Sequence, residues 1–521
     1  MTEAEGFVAL FEARRRAEPD RFFARYEGEP ISFASLARRA DAFANALRRL
    51  GVARGDRVAV MLRNSPSALA VAFGLARSGA IWVPVNVQQR GEGLRYILDH
   101  SEPRLVIADA NLVGTIHECG AALHGTSVIA HGGWDGTIDL ETVLAEETPF
   151  DEGAPAASDC FAICYTSGTT GAPKGVLLTH AMLRFAGEAA ALVSAARDGD
   201  VLFLWEPLSH IGGMQVLVLP LIRRVTLAMV ARFSASRFWQ QVRDTGATHI
   251  HYLGGILQIL MKQPPGPLER GHGVRIAWGG GCAAEVWRPF EERFGVGIRE
   301  CYGMTEASSI TTYNDTGTVG AVGKPVPWLS VELRDGAGRR IDGAGERAEI
   351  VVRARRPEAL FSGYFRNPAA SARALRDGAL HTGDLGSFDA EGNLVFLGRM
   401  TDSVRCRGEN VSAWEVERVA ATHPAVEDCA MIGVAAEIGE QDIKLFVQPR
   451  SGEHLSPTAL STWLGARLAP YQNPRYIAVV AGFERTPSQR IMKQKLSRAL
   501  DDCWDRLRAS PAGRDGLPAG E

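Results

Sequence analysis

No apolar run in the 521 residues is both long and clean enough to cross a membrane. The best stretch, 68–85, is interrupted by Arg77, and the run 211–222 is too short. The opening Met1-Thr2-Glu3-Ala4-Glu5 is acidic and lacks the basic start and apolar core of an export signal, so a cytoplasmic location is expected. The eight cysteines form no CxxC pair and no zinc-type spacing, which leaves reduced, structural thiols as the expectation. Neither sign of charge dominates: 57 Lys and Arg face 60 Asp and Glu, a net −3, and nothing points to a nucleic-acid partner. No short repeat of the solenoid kind recurs. What remains is an ordinary globular composition, 46% hydrophobic and 22% charged, on a chain long enough for more than one core.

Helical and strand patterns alternate from the start. The spacing of Leu36, Ala40, Phe43, Leu47 and Leu50 predicts an amphipathic helix over 33–50. A turn at 51–56 leads to a strand at 57–62, a helix at 65–78 and a strand at 80–85. This alternation predicts α/β layers with mostly parallel sheet. Beyond Leu397-Gly398-Arg399-Met400-Thr401-Asp402, which reads as a boundary, shorter strands at 426–434 and 444–447 precede a helix at 457–468. The Gly/Pro-rich tail, 509–521, is expected to be disordered.

The most informative stretch is Tyr165-Thr166-Ser167-Gly168-Thr169-Thr170-Gly171-Ala172-Pro173-Lys174-Gly175. Hydroxyls, glycines and a lysine lie between apolar runs at 161–164 and 176–178, a pattern for strand, phosphate-wrapping loop, strand. It is not a Walker loop, because Lys174 is followed by Gly175 and Val176 rather than by a Ser/Thr opening a helix. Tyr302-Gly303-Met304-Thr305-Glu306 offers a ring that can stack on a purine, a hydroxyl for an α-phosphate and a carboxylate for magnesium. Gly279-Gly280-Gly281-Cys282-Ala283 permits close backbone approach. In His381-Thr382-Gly383-Asp384 the carboxylate of Asp384 suits a ribose diol. Standing alone, the string 302–306 reads more readily as a strand end and Asp384 as a turn residue, while the glycine string reads equally as a turn without a ligand.

Taken in order, these strings resemble the adenylate-forming superfamily of acyl- and aryl-CoA ligases, luciferases and peptide-synthetase adenylation domains. The resemblance runs from about Phe22 to about Leu500. It is nearest the crotonobetaine/carnitine-CoA ligase branch through Arg407-Gly408-Glu409-Asn410-Val411 and Trp414-Glu415-Val416-Glu417. It implies a large N-terminal α/β domain of layered mixed sheets and helices (1–398), a hinge (399–402) at Asp402, and a small mobile α+β lid (403–508). It assigns ATP to Thr166, Ser167, Gly168, Thr169, Thr170, Gly171 and Lys174, with Gly281, Cys282, Tyr302, Gly303, Thr305, Asp384 and Arg399. Glu306 would hold Mg2+, and Gly408 would line the CoA tunnel. Pro207-Leu208-Ser209-His210-Ile211-Gly212-Gly213-Met214 matches the segment walling the acyl pocket, with His210 a wall rather than a base. Met214, Tyr252, Leu253, Gly254, Gly279, Gly303 and Met304 would complete that pocket, whose mixed sizes fit an aromatic or medium-sized acid.

One element departs from the pattern. Where the family carries a Thr-Pro-Thr-Gly-Lys-like string, this chain has Arg485-Thr486-Pro487-Ser488-Gln489-Arg490-Ile491-Met492-Lys493. By register Arg490 replaces the catalytic lysine, keeping the charge but not the compact ammonium; Lys493 is the alternative. The implied reaction joins a carboxylic acid to AMP with release of pyrophosphate, then transfers the acyl group to CoA. Two alternatives stay open: ATP-dependent activation of nitrite for diazotisation of an aryl amine, and a non-catalytic ATP-binding regulator. The expected partners are small molecules, the chain being a monomer or homodimer.

Overall fold

Local signals set the first elements. Ser32 caps the helix Phe33–Arg49 by accepting from Ser35 N at 3.1 Å, and Ser65 caps Pro66–Ser78 by accepting from Ala68 N at 3.1 Å. Proline opens the second helix and Gly79, at φ 72°, closes it. Leu36, Ala40, Phe43 and Leu47 are buried, as their spacing requires. The computed structural model describes residues 6–123, 125–166, 173–400, 403–406, 409–436, 441–468, 472–486 and 490–509. The chain divides into two compact units, residues 1–331 with 351–381, and residues 332–350 with 382–521.

Among the described residues the first unit holds a seven-stranded and a nine-stranded sheet. In the seven-stranded sheet, Ser127–His131, Leu105–Asp109, Arg57–Met61, Ile81–Pro84 and Cys160–Thr166 run parallel as successive neighbours, and Lys174–Thr179 closes the edge antiparallel. The nine-stranded sheet has a parallel run of Phe22–Tyr26, Thr226–Met229, Val201–Leu204, His249–Leu253, Ile276–Gly280 and Gly297–Tyr302. This is the α/β, mostly parallel architecture the alternating pattern predicts. Helices Phe238–Asp244, Ile256–Met261 and Ala284–Phe294 bury Phe238, Trp239, Leu257, Leu260, Trp287, Phe290 and Phe294 with Phe203, Tyr252 and Ile298 of the strands.

The parallel run matters for the site. Strands that share a direction end along one edge, and ligands of such sheets bind outside the carboxyl ends. That edge collects the segments after Leu204, Leu253, Gly280 and Tyr302, which carry His210, Gly281 and Glu306.

The second unit has its own core. Val426–Ala435, Gln441–Pro449 and Tyr476–Val479 form one sheet with Trp504–Asp505, while Ser403–Cys406 pairs with Glu409–Ser412 as a hairpin. Val404, Val411, Val416, Met431, Leu445, Leu460 and Ile477 are buried together. The expected helix near 457–468 is Pro457–Gly465, capped by Ser456. The strand Leu394–Arg399 runs antiparallel to the segment through Asp384 and sets Asp384 opposite Arg399. The expected hinge residue Asp402 and most of the tail, 510–521, lie outside the described residues.

Candidate active site

The strands flanking the expected phosphate loop pair as their apolar character requires. Cys160–Thr166 and Lys174–Thr179 pair antiparallel with Thr166 opposite Lys174. Ser167, Gly168, Thr169, Thr170 and Gly171 lie outside the described residues. Lys174 Nζ stands 5.2 Å from the ring centroid of Tyr364, within range of a cation–π contact. The same tyrosine donates its hydroxyl to Glu306 Oε1 at 2.8 Å. One aromatic residue therefore joins the lysine of one motif to the carboxylate of another.

Tyr364 is absent from the sequence-level candidates. It is placed by backbone zipping: Phe365 N donates to Gly175 O at 2.7 Å, Leu177 N to Gly363 O at 3.3 Å, and Tyr364 bridges Val176. Only its position between Gly363 and Phe365 marks it in the sequence, and that context fits a core aromatic equally well.

Glu306 and Thr305 are buried in the short turn Thr305–Ala307, just past the end of Gly297–Tyr302. Phe361 N donates to Glu306 O at 2.9 Å. Ser308 and Ser309 follow with φ of 54° and 74°, a left-handed pair that reverses the chain sharply. Gly303 is obligatory there, since a Cβ would stand 1.8 Å from Ser309 O. Tyr302 is buried, and Met304 accepts from Ala307 N at 3.0 Å.

The glycine string packs against its neighbour strand. A Cβ on Gly279 would meet Tyr252 O at 1.9 Å, and one on Gly281 would meet the Gly254 backbone at 2.9 Å. Glu300 anchors this string. Its carboxyl accepts from Gly281 N at 2.6 Å, Cys282 N at 3.1 Å and the Tyr252 hydroxyl at 2.5 Å. Burial pushes the Glu300 carboxyl up to about 8, although the bonds from Tyr252, Gly281 and Cys282 pull it back. Burial likewise raises the Cys164 and Cys282 thiols, so neither is a thiolate at neutral pH.

The expected acyl wall divides. His210 is exposed and accepts from Gly212 N through Nδ1 at 3.1 Å. Met214 is fully buried, its Sδ 4.0 Å from Cys164 Sγ. Strand alternation sends the Tyr252 side chain into the core with Trp287 and Phe290, away from His210. The side chains that reach the His210 segment are Leu253 and His251, whose nearest atoms would stand 3.1 and 3.5 Å from a methyl on Gly212. His251 is thus a pocket candidate that the sequence reading missed.

In the second unit, Asp384 is buried and pairs with Arg399 Nε at 3.1 Å. Arg490 is exposed, within electrostatic reach of Arg399 and Asp384. Thr486 N donates to Arg490 O at 2.7 Å. Lys493 is engaged elsewhere, in an ion pair with Glu417 at 2.8 Å. Gly408 lies outside the described residues.

The family model for AMP-binding enzymes matches residues 11–365, and that for the AMP-binding enzyme C-terminal domain matches residues 415–490. The chain belongs to the AMP-binding enzyme family. A crotonobetaine/carnitine-CoA ligase of Salmonella paratyphi A is 32% identical over 89% of this chain and 93% of the relative, and one of Salmonella typhi is 33% identical over the same shares. Among solved structures, a benzoate CoA ligase from Burkholderia xenovorans LB400 superposes with a TM-score of 0.84 at 25% identity, covering 94% of this chain and 99% of that one. ATP-bound MatB from Rhodopseudomonas palustris gives 0.83 at 26%, covering 94% and 97%. The anthranilate CoA ligase AuaEII in complex with anthranoyl-AMP gives 0.85 at 24%, over 95% and 97%, a likeness of fold. This AMP-binding enzyme is an adenylate-forming ligase of the acyl- and aryl-CoA ligase type. Nothing in these matches supports the nitrite-activating alternative. No described helix is long and apolar enough to cross a membrane.

Proposed function

We propose that this enzyme activates an aromatic or medium-sized carboxylic acid with ATP and passes the acyl group to CoA. The observation that carries the assignment of residues is the Lys174–Tyr364–Glu306 arrangement, a cation and a buried carboxylate brought together from motifs far apart in sequence. In the first step a carboxylate oxygen attacks the α-phosphorus and pyrophosphate leaves. Lys174 and the loop before it hold the outgoing phosphates, and Thr305 reaches the α-phosphate. Positioning and stabilisation of charge at phosphorus, rather than covalent help from the protein, drive the step. Glu306 fits a magnesium site: it is one buried carboxylate, and Mg2+ commonly takes one or two carboxylates plus substrate phosphates. Bound there, the metal would neutralise phosphate charge.

Tyr302 and the Gly281–Cys282 backbone flank the adenine, while Asp384 and Arg399 serve the ribose. Arg490 takes the role of the missing lysine at the reacting carboxylate. The engagement of Lys493 with Glu417 favours Arg490 over its alternative. In the second step the CoA sulfur attacks the acyl carbon and AMP leaves, with Asp402 as pivot and Gly408 in the thiol tunnel. His210, Met214, Leu253, Gly279, Gly303 and Met304 wall the acyl group.

The test is a pyrophosphate-release screen over aryl, alicyclic and fatty acids and nitrite, each with and without CoA. Acid-dependent release followed by thioester is expected, and Glu306→Gln should lower the first step by about 10²–10³-fold. Release with nitrite and an aryl amine alone, and with no acid, would overturn the reading.

A further inference from the structure

Two buried ionisable side chains beside the His210 segment have no part in the reaction as described. Glu206, just beyond the strand Val201–Leu204, is 0% exposed, and His251, within His249–Leu253, is 3% exposed. His251 Nδ1 is hydrogen-bonded to Glu206 Oε1. Glu206 Oε2 is buried and has no hydrogen-bond partner among the described residues.

Both residues are held from behind. Trp205 Nε1 donates to His251 O at 2.9 Å, and Asn64 Nδ2 donates to Glu206 O at 2.8 Å. The Trp278 ring lies against the imidazole, centroids 4.2 Å apart. A Cβ on Gly212 would stand 3.1 Å from His210 Nδ1, 3.1 Å from Leu253 Cδ1 and 3.5 Å from His251 Cε1. His251 therefore borders the side chains of His210 and Leu253, with Glu206 bonded behind it.

A leucine or phenylalanine at these positions would make an apolar wall at no desolvation cost. This chain instead buries a carboxylate and leaves one of its oxygens without a donor, an arrangement that costs stability unless a ligand completes it. With Nδ1 engaged by Glu206 Oε1, the other hydrogen-bonding atom of the ring is Nε2. Glu206 Oε2 thus stands as a buried acceptor without a donor among the described residues.

Resting on the reading that the His210 segment walls the acyl pocket, we propose that the Glu206–His251 pair sets substrate choice. The acid it selects carries an N–H or O–H donor, as an amino or hydroxyl substituent, on the part remote from its carboxylate. A site built to bond such a donor discriminates strongly against an isostere lacking it, because the buried acceptor is then left unpaired.

Initial rates of pyrophosphate release test this with matched acids: amino- and hydroxybenzoates against the corresponding methylbenzoates, with crotonobetaine as a cation that has no donor. At least one amino or hydroxyl acid should exceed its methyl counterpart by about 10–100-fold in kcat/KM. Glu206→Gln places an N–H where the free oxygen stands and should collapse that ratio. His251→Leu builds the apolar wall and should bring the ratio to one or below, a change that loss of stability alone does not produce. Equal or better turnover of the methyl acids, or crotonobetaine as the best acid, overturns the proposal while leaving the ligase reading intact. An unchanged ratio in folded His251→Leu overturns it as well. Failure of all these acids while an alicyclic or fatty acid of the wider screen releases pyrophosphate overturns this inference alone; failure of every acid of that screen overturns the proposed function with it.

Discussion

Replacing Glu300 with glutamine should change how the stability of this enzyme depends on pH. The carboxyl sits at about 8 in the folded chain against an ordinary value of 4.5, because burial disfavours its charged form. A carboxyl raised in this way stays protonated in the folded state between those values while the unfolded chain has lost the proton. Its contribution is therefore fully present below about 4.5 and is lost as pH rises through about 8. Each pH unit in that window is worth about 1.4 kcal/mol. Because the slope flattens near the upper end, the wild type should lose roughly 2–3 kcal/mol from this group between pH 6 and 8. Glutamine cannot titrate, so Glu300→Gln should match or trail the wild type at pH 6 and gain on it by that amount at pH 8. Urea unfolding of both proteins at pH 6, 7, 8 and 9 measures the difference. An infrared band of a protonated carboxylic acid that fades with a midpoint near pH 8, and is missing in the variant, would locate the proton directly. Stability profiles that run parallel across pH 6–8 would refute the reasoning.

Tyr364→Phe keeps the ring beside Lys174 but removes the bond to Glu306, so adenylation should fall by about tenfold, with a raised KM for Mg-ATP and little change in unfolding; unaltered kinetics would detach Tyr364 from the site. Gly303→Ala forces a Cβ to 1.8 Å from Ser309 O, a clash with backbone that should cost more than about 2 kcal/mol; normal melting and normal pyrophosphate release would contradict it. Arg490→Ala should lower carboxylate adenylation by about 10²–10³-fold, Arg490→Lys should retain it, and neither should alter thioester formation from preformed acyl-adenylate. Lys493→Ala breaks the pair with Glu417 and should show in unfolding rather than in adenylation; the opposite pattern would transfer the catalytic role to Lys493.

Much of this protein is decided locally. Ser32 and Ser65 start helices because a side-chain oxygen meets an orphan N–H three residues on, and the flanks of the proposed phosphate loop pair because they are short apolar strands joined by glycine-rich chain. The motif strings carry the family for the same reason: each is a contiguous run whose chemistry needs its neighbours in sequence. Tertiary structure decided what those strings touch. Tyr364 reaches Lys174 and Glu306 only because residues 363–365 zip onto an edge strand laid down much earlier in the chain. Glu300 keeps its proton because the assembled layers bury it, against the opposing pull of the bonds from Tyr252 and the Gly281–Cys282 backbone that strand pairing places beside it. Tyr252 and His251 are adjacent in sequence, yet alternation turns one into the core and the other toward His210. Which of two neighbouring residues faces the His210 segment depends on what packs against each side of the sheet, and that is a property of the assembled layers.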